Sequence, residues 1–328
     1  MLRLAQVDVG HARGWLRAHL KLIVRVVGVG VAIVAVVLCI GALADEWHTV
    51  SSAVKDARAL PLLGAFLAGF AAMAGLGLLW WRCLAVFGIR VSWREAVAWY
   101  LAGELGKYVP GGVWAVLGRG ELARRSGKVN RGDAYATTLI GYAAMCFGAA
   151  LVCGVLAPFL ASYGDSFTWA WVMLALIPVG VLVAHPAVFG RILDLARRLS
   201  RGRIELSPPS WSKMLGLILC AVPTWVLVGA ASALVAESFG FSERPARVAF
   251  AAIAAWIIGF LVVPVPAGAG LRELVFAAIC GLAAAPAVAV AAGARVLLIA
   301  ADALGGLGGL AFARRRTGRT NRTLMKGH

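Results

Sequence analysis

Two stretches of this chain place ionisable residues beside backbone breaks in otherwise apolar sequence. In the first, Glu104 and Lys107 precede Pro110-Gly111-Gly112. They are three residues apart and therefore share a helical face. Gly106, Gly111 and Gly112 leave backbone amides uncovered, and the segment after the break starts with its positive dipole end nearby. Such a spot suits a phosphate or carboxylate. Arg119, Glu121, Arg124 and Arg125 follow as the expected mouth of this feature. The structural alternative is a kinked helix whose arginines only anchor the membrane interface.

The second stretch is Pro264-Val265-Pro266-Ala267-Gly268-Ala269-Gly270, followed by Leu271-Arg272-Glu273. Each break leads to an arginine and a glutamate ahead of a leucine, which is a weak internal repeat. Adjacent Arg272 and Glu273 cannot point the same way on a helix, so their partners belong on other segments. Arg295 and Asp302, seven apart on one face of the last apolar segment, are the candidates. Glu104, Glu273 and Asp302 then balance Lys107, Arg272 and Arg295, as mutual pairing inside a bilayer requires. A static ion-pair staple is the alternative to a site.

These residues sit in a chain made for lipid. It is 61% hydrophobic and 14% charged, with a mean hydropathy of +0.86. Soluble domains are nearer a quarter charged. Segments 22–44, 61–81, 134–160, 168–184, 215–236 and 287–312 approach or exceed the ~20 apolar residues that cross a ~30 Å hydrocarbon core. The expected fold is an all-α integral membrane protein with six full spans. Two broken re-entrant hairpins, near 95–118 and 247–285, would enter in inverted orientation, as in inverted-repeat transporters. A basic segment 1–21 and a basic tail 314–328 flank a membrane domain at 22–313. The N-terminal apolar run reads as an uncleaved signal anchor, being longer than the usual ~7–15 residues of a cleaved signal.

The net charge of +17 would point to nucleic acid in a soluble protein. Here topology and anionic headgroups account for it, and no nucleic acid is expected. With both breaks as hairpins, segments 1–25, 82–94, 119–131, 188–213 and 314–328 carry 25 of the 32 lysines and arginines. That positive-inside bias puts both termini in the cytoplasm; the expected location is the cell's plasma (inner) membrane. Were Glu95–Gly118 a single span, the basic 188–213 segment would fall outside. Two tight full spans at 247–285 would leave the same sidedness.

Other features are plainer. Seven tryptophans, among them Trp80, Trp81 and Trp99, fall near expected span ends, as interface aromatics do. The six cysteines have no framework spacing and the five histidines no metal spacing, so no metal is expected. Nor is any other cofactor: there is no nucleotide-binding loop and no GxSxG. The glycine-rich Gly305–Gly309 stretch would suit close packing against another helix, homodimerisation included.

Gly103-Glu104-Leu105-Gly106-Lys107-Tyr108-Val109-Pro110-Gly111-Gly112, with Gly118-Arg119 and Leu122, resembles the signature of the lysylphosphatidylglycerol synthase/flippase transmembrane-domain family. So does Pro264–Glu273, and Arg295 early in the last span fits as well. The resemblance covers roughly residues 22–312; Ala267 departs from it where a second glycine would stand. It implies a membrane domain that moves lipids between leaflets, without the soluble domain that attaches an amino acid to phosphatidylglycerol. The expected function is therefore a flippase moving a phospholipid or lipid-linked headgroup through a polar seam between the hairpins, a transporter more than an enzyme. Lys107, Pro110, Gly111, Gly112, Arg119, Arg272 and Arg295 would bind an anionic headgroup. Glu104, Glu121, Glu273 and Asp302 would pair charges or couple protons. The alternative is a membrane-embedded enzyme or accessory subunit acting on a lipid-linked sugar or phospholipid headgroup.

Overall fold

The computed structural model describes residues 51, 55–108, 114–161, 168–241, 244–261 and 270–325. The expected first span at 22–44, both proline-glycine turns and therefore Pro110, Gly111 and Gly112 lie outside these residues. All regular structure among the described residues is helical. In chain order the helices are α1 (Ala59–Val86), α2 (Trp93–Glu104, continued by a 3₁₀ turn Leu105–Tyr108), α3 (Trp114–Arg125), α4 (Arg131–Ala161) and α5 (Thr168–Ala184). After them come α6 (Pro186–Leu199), α7 (Trp211–Ser238), α8 (Pro245–Leu261), α9 (Leu271–Cys280) and α10 (Ala284–Met325).

Helices α1, α4, α7 and α10 are each long and apolar enough to cross a membrane. Of the other expected spans, 168–184 is a helix of 17 residues, about 25 Å at 1.5 Å per residue. It reaches span length only together with α6, from which it bends by 75°. The expected cytoplasmic loop 188–213 thus holds a helix that the apolar-run criterion passed over. In α6 the hydrophobic residues alternate with Arg191, Asp194, Arg197 and Arg198 at helical spacing, so no long apolar run appears. His185 caps it and Pro186 takes the first helical position, where a missing N–H costs nothing.

Two helix pairs double back on themselves. Arm α2 starts with a reciprocal cap, in which Ser92 Oγ accepts from Glu95 N and Glu95 Oε2 accepts from Ser92 N. Glu95 also receives Lys128 Nζ at 2.9 and 3.0 Å, which ties the start of α2 to the turn that follows α3. In the second pair Arg247 Nε, near the start of α8, donates to Ile279 O at the end of α9 at 2.7 Å. Arms of 12 residues in α2 and α3 and 10 in α9 are well short of a bilayer crossing.

The two pairs open toward opposite ends of the bundle. The mouth of α2–α3 lies with the C-terminus of α1 and the N-terminus of α4. Asp133 there accepts from Glu205 N at 2.8 Å. The mouth of α8–α9 lies at the other end, where Arg58 N donates to Ser238 O. The lysines and arginines of 82–94, 124–131 and 191–213 gather at the first end, and Arg58, Arg244 and Arg247 at the second. The core joins these elements: Trp80 and Trp225 are each 1% exposed, and Trp99 is buried as well. Trp80 and Trp99 are therefore packing residues and not interface aromatics. Trp93, Trp171 and Trp211 are exposed near helix ends.

Candidate functional site

The doubling back of α2–α3 sets Glu104 against Arg119, fifteen residues on. The Arg119 side chain is fully buried and its Nη2 donates to Glu104 Oε1. Lys107 Nζ bonds Glu104 Oε2 at 2.9 Å and Asp302 Oδ2 at 2.7 Å, so it bridges the hairpin to α10. Glu104 and Asp302 are themselves buried. Arg119 also lies against two rings, its guanidinium carbon 3.9 Å from the Tyr100 centroid and 5.1 Å from that of Tyr142. Desolvated guanidinium–ring contacts of this kind are worth up to about 2 kcal/mol.

A second cluster forms where α9 meets α8 and α10. Arg295 Nη1 donates to Glu273 Oε1, and Arg272 stacks over Trp256 with its guanidinium carbon 4.6 Å from the ring centroid. Glu273 Oε2 is buried and accepts no hydrogen bond among the described residues. Aromatic rings join the clusters. Tyr142 meets Phe260 edge-on at 4.9 Å, and Phe260 stacks on Trp256 at 5.6 Å. The order Arg119–Tyr142–Phe260–Trp256–Arg272 therefore runs from one hairpin to the other.

In both hairpins a glycine on the first arm lets the arginine of the second arm pass. A Cβ on Gly103 would lie 2.9 Å from Arg119 Cβ and 3.0 Å from Ala115 O. One on Gly259 would run into the Arg272 side chain. This pairing of glycine with arginine extends the weak repeat visible in the sequence from composition to geometry.

Lys107, Arg272, Glu273, Arg295 and Asp302 line one cavity of about 90 Å³, room for several waters or a compact polar group. Its remaining wall is mostly apolar, with Trp256, Phe276 and Ser232 among the lining residues. Arg119 is behind this cavity, beyond Glu104. Glu121 is elsewhere: it pairs with Arg124 at 2.7 Å and Arg125 at 3.2 Å on the outer face of α3. Asp302, expected with Arg295 to partner Arg272 and Glu273, bonds Lys107 at the first hairpin. Arg295 does reach Glu273, as expected.

The charge balance differs from the expectation. Arg119, placed by sequence at a solvated mouth, belongs to the buried network. Four bases (Lys107, Arg119, Arg272, Arg295) then face three acids (Glu104, Glu273, Asp302), one positive charge in excess among the described residues. Sequence spacing missed Tyr100, Tyr142 and Trp256 as cation partners, because only the tertiary fold brings them to the arginines.

A polytopic helical membrane protein with an ionic cavity between two folded-back helix pairs is what these features define. Residues 24–306 match the family described as the lysylphosphatidylglycerol synthase TM region, and the chain belongs to that family. Membership ties the chain to membrane lipids. Comparison with curated proteins gives no match.

Proposed function

We propose that this protein is a lipid translocase that carries a phospholipid or lipid-linked headgroup past the cavity between α2–α3 and α8–α9. The observation that carries this reading is the cluster of four bases and three acids, one positive charge in excess among the described residues, at a cavity with a largely apolar wall. Unbalanced charge inside a membrane domain costs several kcal/mol, and an anionic headgroup would remove the imbalance. In this reading the two helix pairs are re-entrant hairpins from opposite faces, and their short arms leave the irregular turns near the midplane.

Each residue then has a role. Lys107 and Arg295 contact the headgroup phosphate from opposite walls. Arg272, held flat on Trp256, supplies a third positive group. Arg119 and Glu104 fix Lys107 in place. Glu273 Oε2 offers an acceptor to a proton or to an ammonium group on the cargo. Acyl chains remain in lipid while the headgroup crosses, so the protein lowers the barrier for the polar part alone.

The test is leaflet-resolved transport of fluorescent phospholipids in vesicles containing the purified protein. Wild type should equilibrate a phosphatidylglycerol probe between leaflets. Lys107→Ala and Arg295→Ala should slow it by about tenfold to a hundredfold, the loss of one charge-assisted contact. Failure of wild type to move anionic, zwitterionic and isoprenoid lipids alike would overturn the proposal.

A further inference from the structure

A second cavity lies at the basic end of the bundle, remote from the central one. Its volume is about 960 Å³, at the upper end of the ~300–1,000 Å³ typical of small-molecule sites. The start of α4, helix α6 and the turn that follows α6 enclose it. The lining divides by chemistry. Arg131, Arg201 and Arg203 are exposed around it, with Glu205 the only acid in the lining. Leu139, Ile140, Phe189, Ile192, Leu193 and Leu199 make its apolar part. Of these Leu139 is 59% and Leu199 77% exposed.

The turn that carries two of the arginines is held in place. Arg201 adopts φ 56° and Gly202 φ 77°, the left-handed region that non-glycine residues seldom occupy. Arg197 donates to Leu206 O, and Glu205 N donates to Asp133 Oδ1 at 2.8 Å. Asp133 is in turn fixed by Asn130, whose Nδ2 donates to it at 2.7 Å. Residues 201–206 are thus pinned between α6 and α4, and the arginines stand on a built rim.

We propose that this groove is a binding site for one anionic phospholipid of the leaflet at the basic end, distinct from the transported headgroup. Charge complementarity names the occupant: three arginines and one glutamate leave a net positive rim that attracts a phosphate-bearing headgroup. The second requirement is an acyl chain. Leu139 lies eight residues into α4 from Arg131, about 12 Å along the helix axis. A headgroup at Arg131, Arg201 and Arg203 therefore sets a chain against Leu139, Ile192 and Leu199 on the side where lipid tails lie. A soluble anion would leave that apolar floor bare, and a neutral lipid would leave the rim unmatched. The site does not depend on translocation through the central cavity.

The experiment is native mass spectrometry of the full chain, released from mixed micelles containing phosphatidylglycerol and phosphatidylcholine of identical chains. Wild type should retain one phosphatidylglycerol in preference to phosphatidylcholine. Arg201→Gln and Arg203→Gln should each weaken retention by about fivefold, the equivalent of ~1 kcal/mol per arginine near a membrane surface. Arg203→Lys should keep most of it, which separates loss of charge from loss of fold. Leu139→Trp, filling the floor, should also expel the lipid. Lys55→Gln, an exposed charge at the other end of the bundle, should leave this retention unchanged. Equal retention of both lipids, indifference to the two glutamine variants, or displacement by inorganic phosphate at equal concentration would each overturn the proposal.

Discussion

Glu104 is the residue on which the buried network turns, because it neutralises both Lys107 and Arg119. Removing one partner of a buried pair leaves the other charge uncompensated and costs about 3–5 kcal/mol. Glu104→Gln should therefore lower thermal stability in detergent sharply, because it takes the partner from the fully buried Arg119. Combining Glu104→Gln with Arg119→Met should recover part of the loss, since the orphaned guanidinium is then gone. A double-mutant cycle of melting curves measures this, and strict additivity would show that the pair is not coupled. The aromatic partners belong to the same account: Tyr100→Leu removes the closer ring from Arg119 and should cost ~2 kcal/mol or more.

Hairpin α2–α3 is closed at its mouth by the Glu95–Lys128 pair. Burial of Glu95 opposes ionisation, but the bonds from Lys128 and Ser92 outweigh it and lower its pKa from 4.5 to about 2. A carboxylate with a depressed folded pKa contributes stability above its unfolded pKa. That contribution is lost as pH falls through the folded value. The hairpin mouth should thus loosen between about pH 4.5 and 2, and Lys128→Met should shift the onset of loosening to higher pH. Hydrogen exchange across 92–104 reads this out, and an unchanged acid profile in the variant would remove the pair from the account. In the second hairpin, Gly259→Leu should drive Arg272 off Trp256 and change the tryptophan emission, because the added side chain claims the same space.

Across the molecule, the separation of basic and less basic ends predicts which residues face which side of the membrane. Cysteines introduced at Arg90 and Arg244, in a background without the native cysteines, should react with an impermeant thiol reagent from opposite sides. Labelling of both from one side would break the paired-hairpin topology and the positive-inside argument together. Packing also decides how the last helix is used. Gly305, Gly306 and Gly309 lie against Leu101, Leu105 and Ala98 of the first hairpin and its 3₁₀ extension. The glycine-rich stretch therefore seats α2 within the chain, while Leu304 and Leu307 on its outer side are exposed.

Membrane class, four of the six apolar spans and the ionisable residues beside the two breaks are legible in the chain because each depends on local composition: a ~20-residue apolar run, a proline, a charge in hydrocarbon. Pairing of Glu104 with Lys107 is likewise local, at helical spacing. The burial of Arg119, the Lys107–Asp302 bond and the stacking of Arg272 on Trp256 are not, since each joins segments far apart in sequence. The same holds for the arginine-rimmed groove, whose arginines come from the start of α4 and from a turn about 70 residues later. Helix α6 escaped the hydropathy pattern because an amphipathic helix at an interface has no continuous apolar run. Spacing along one helix fixes which residues share a face, but only the fold brings the faces of different helices together and so selects their partners.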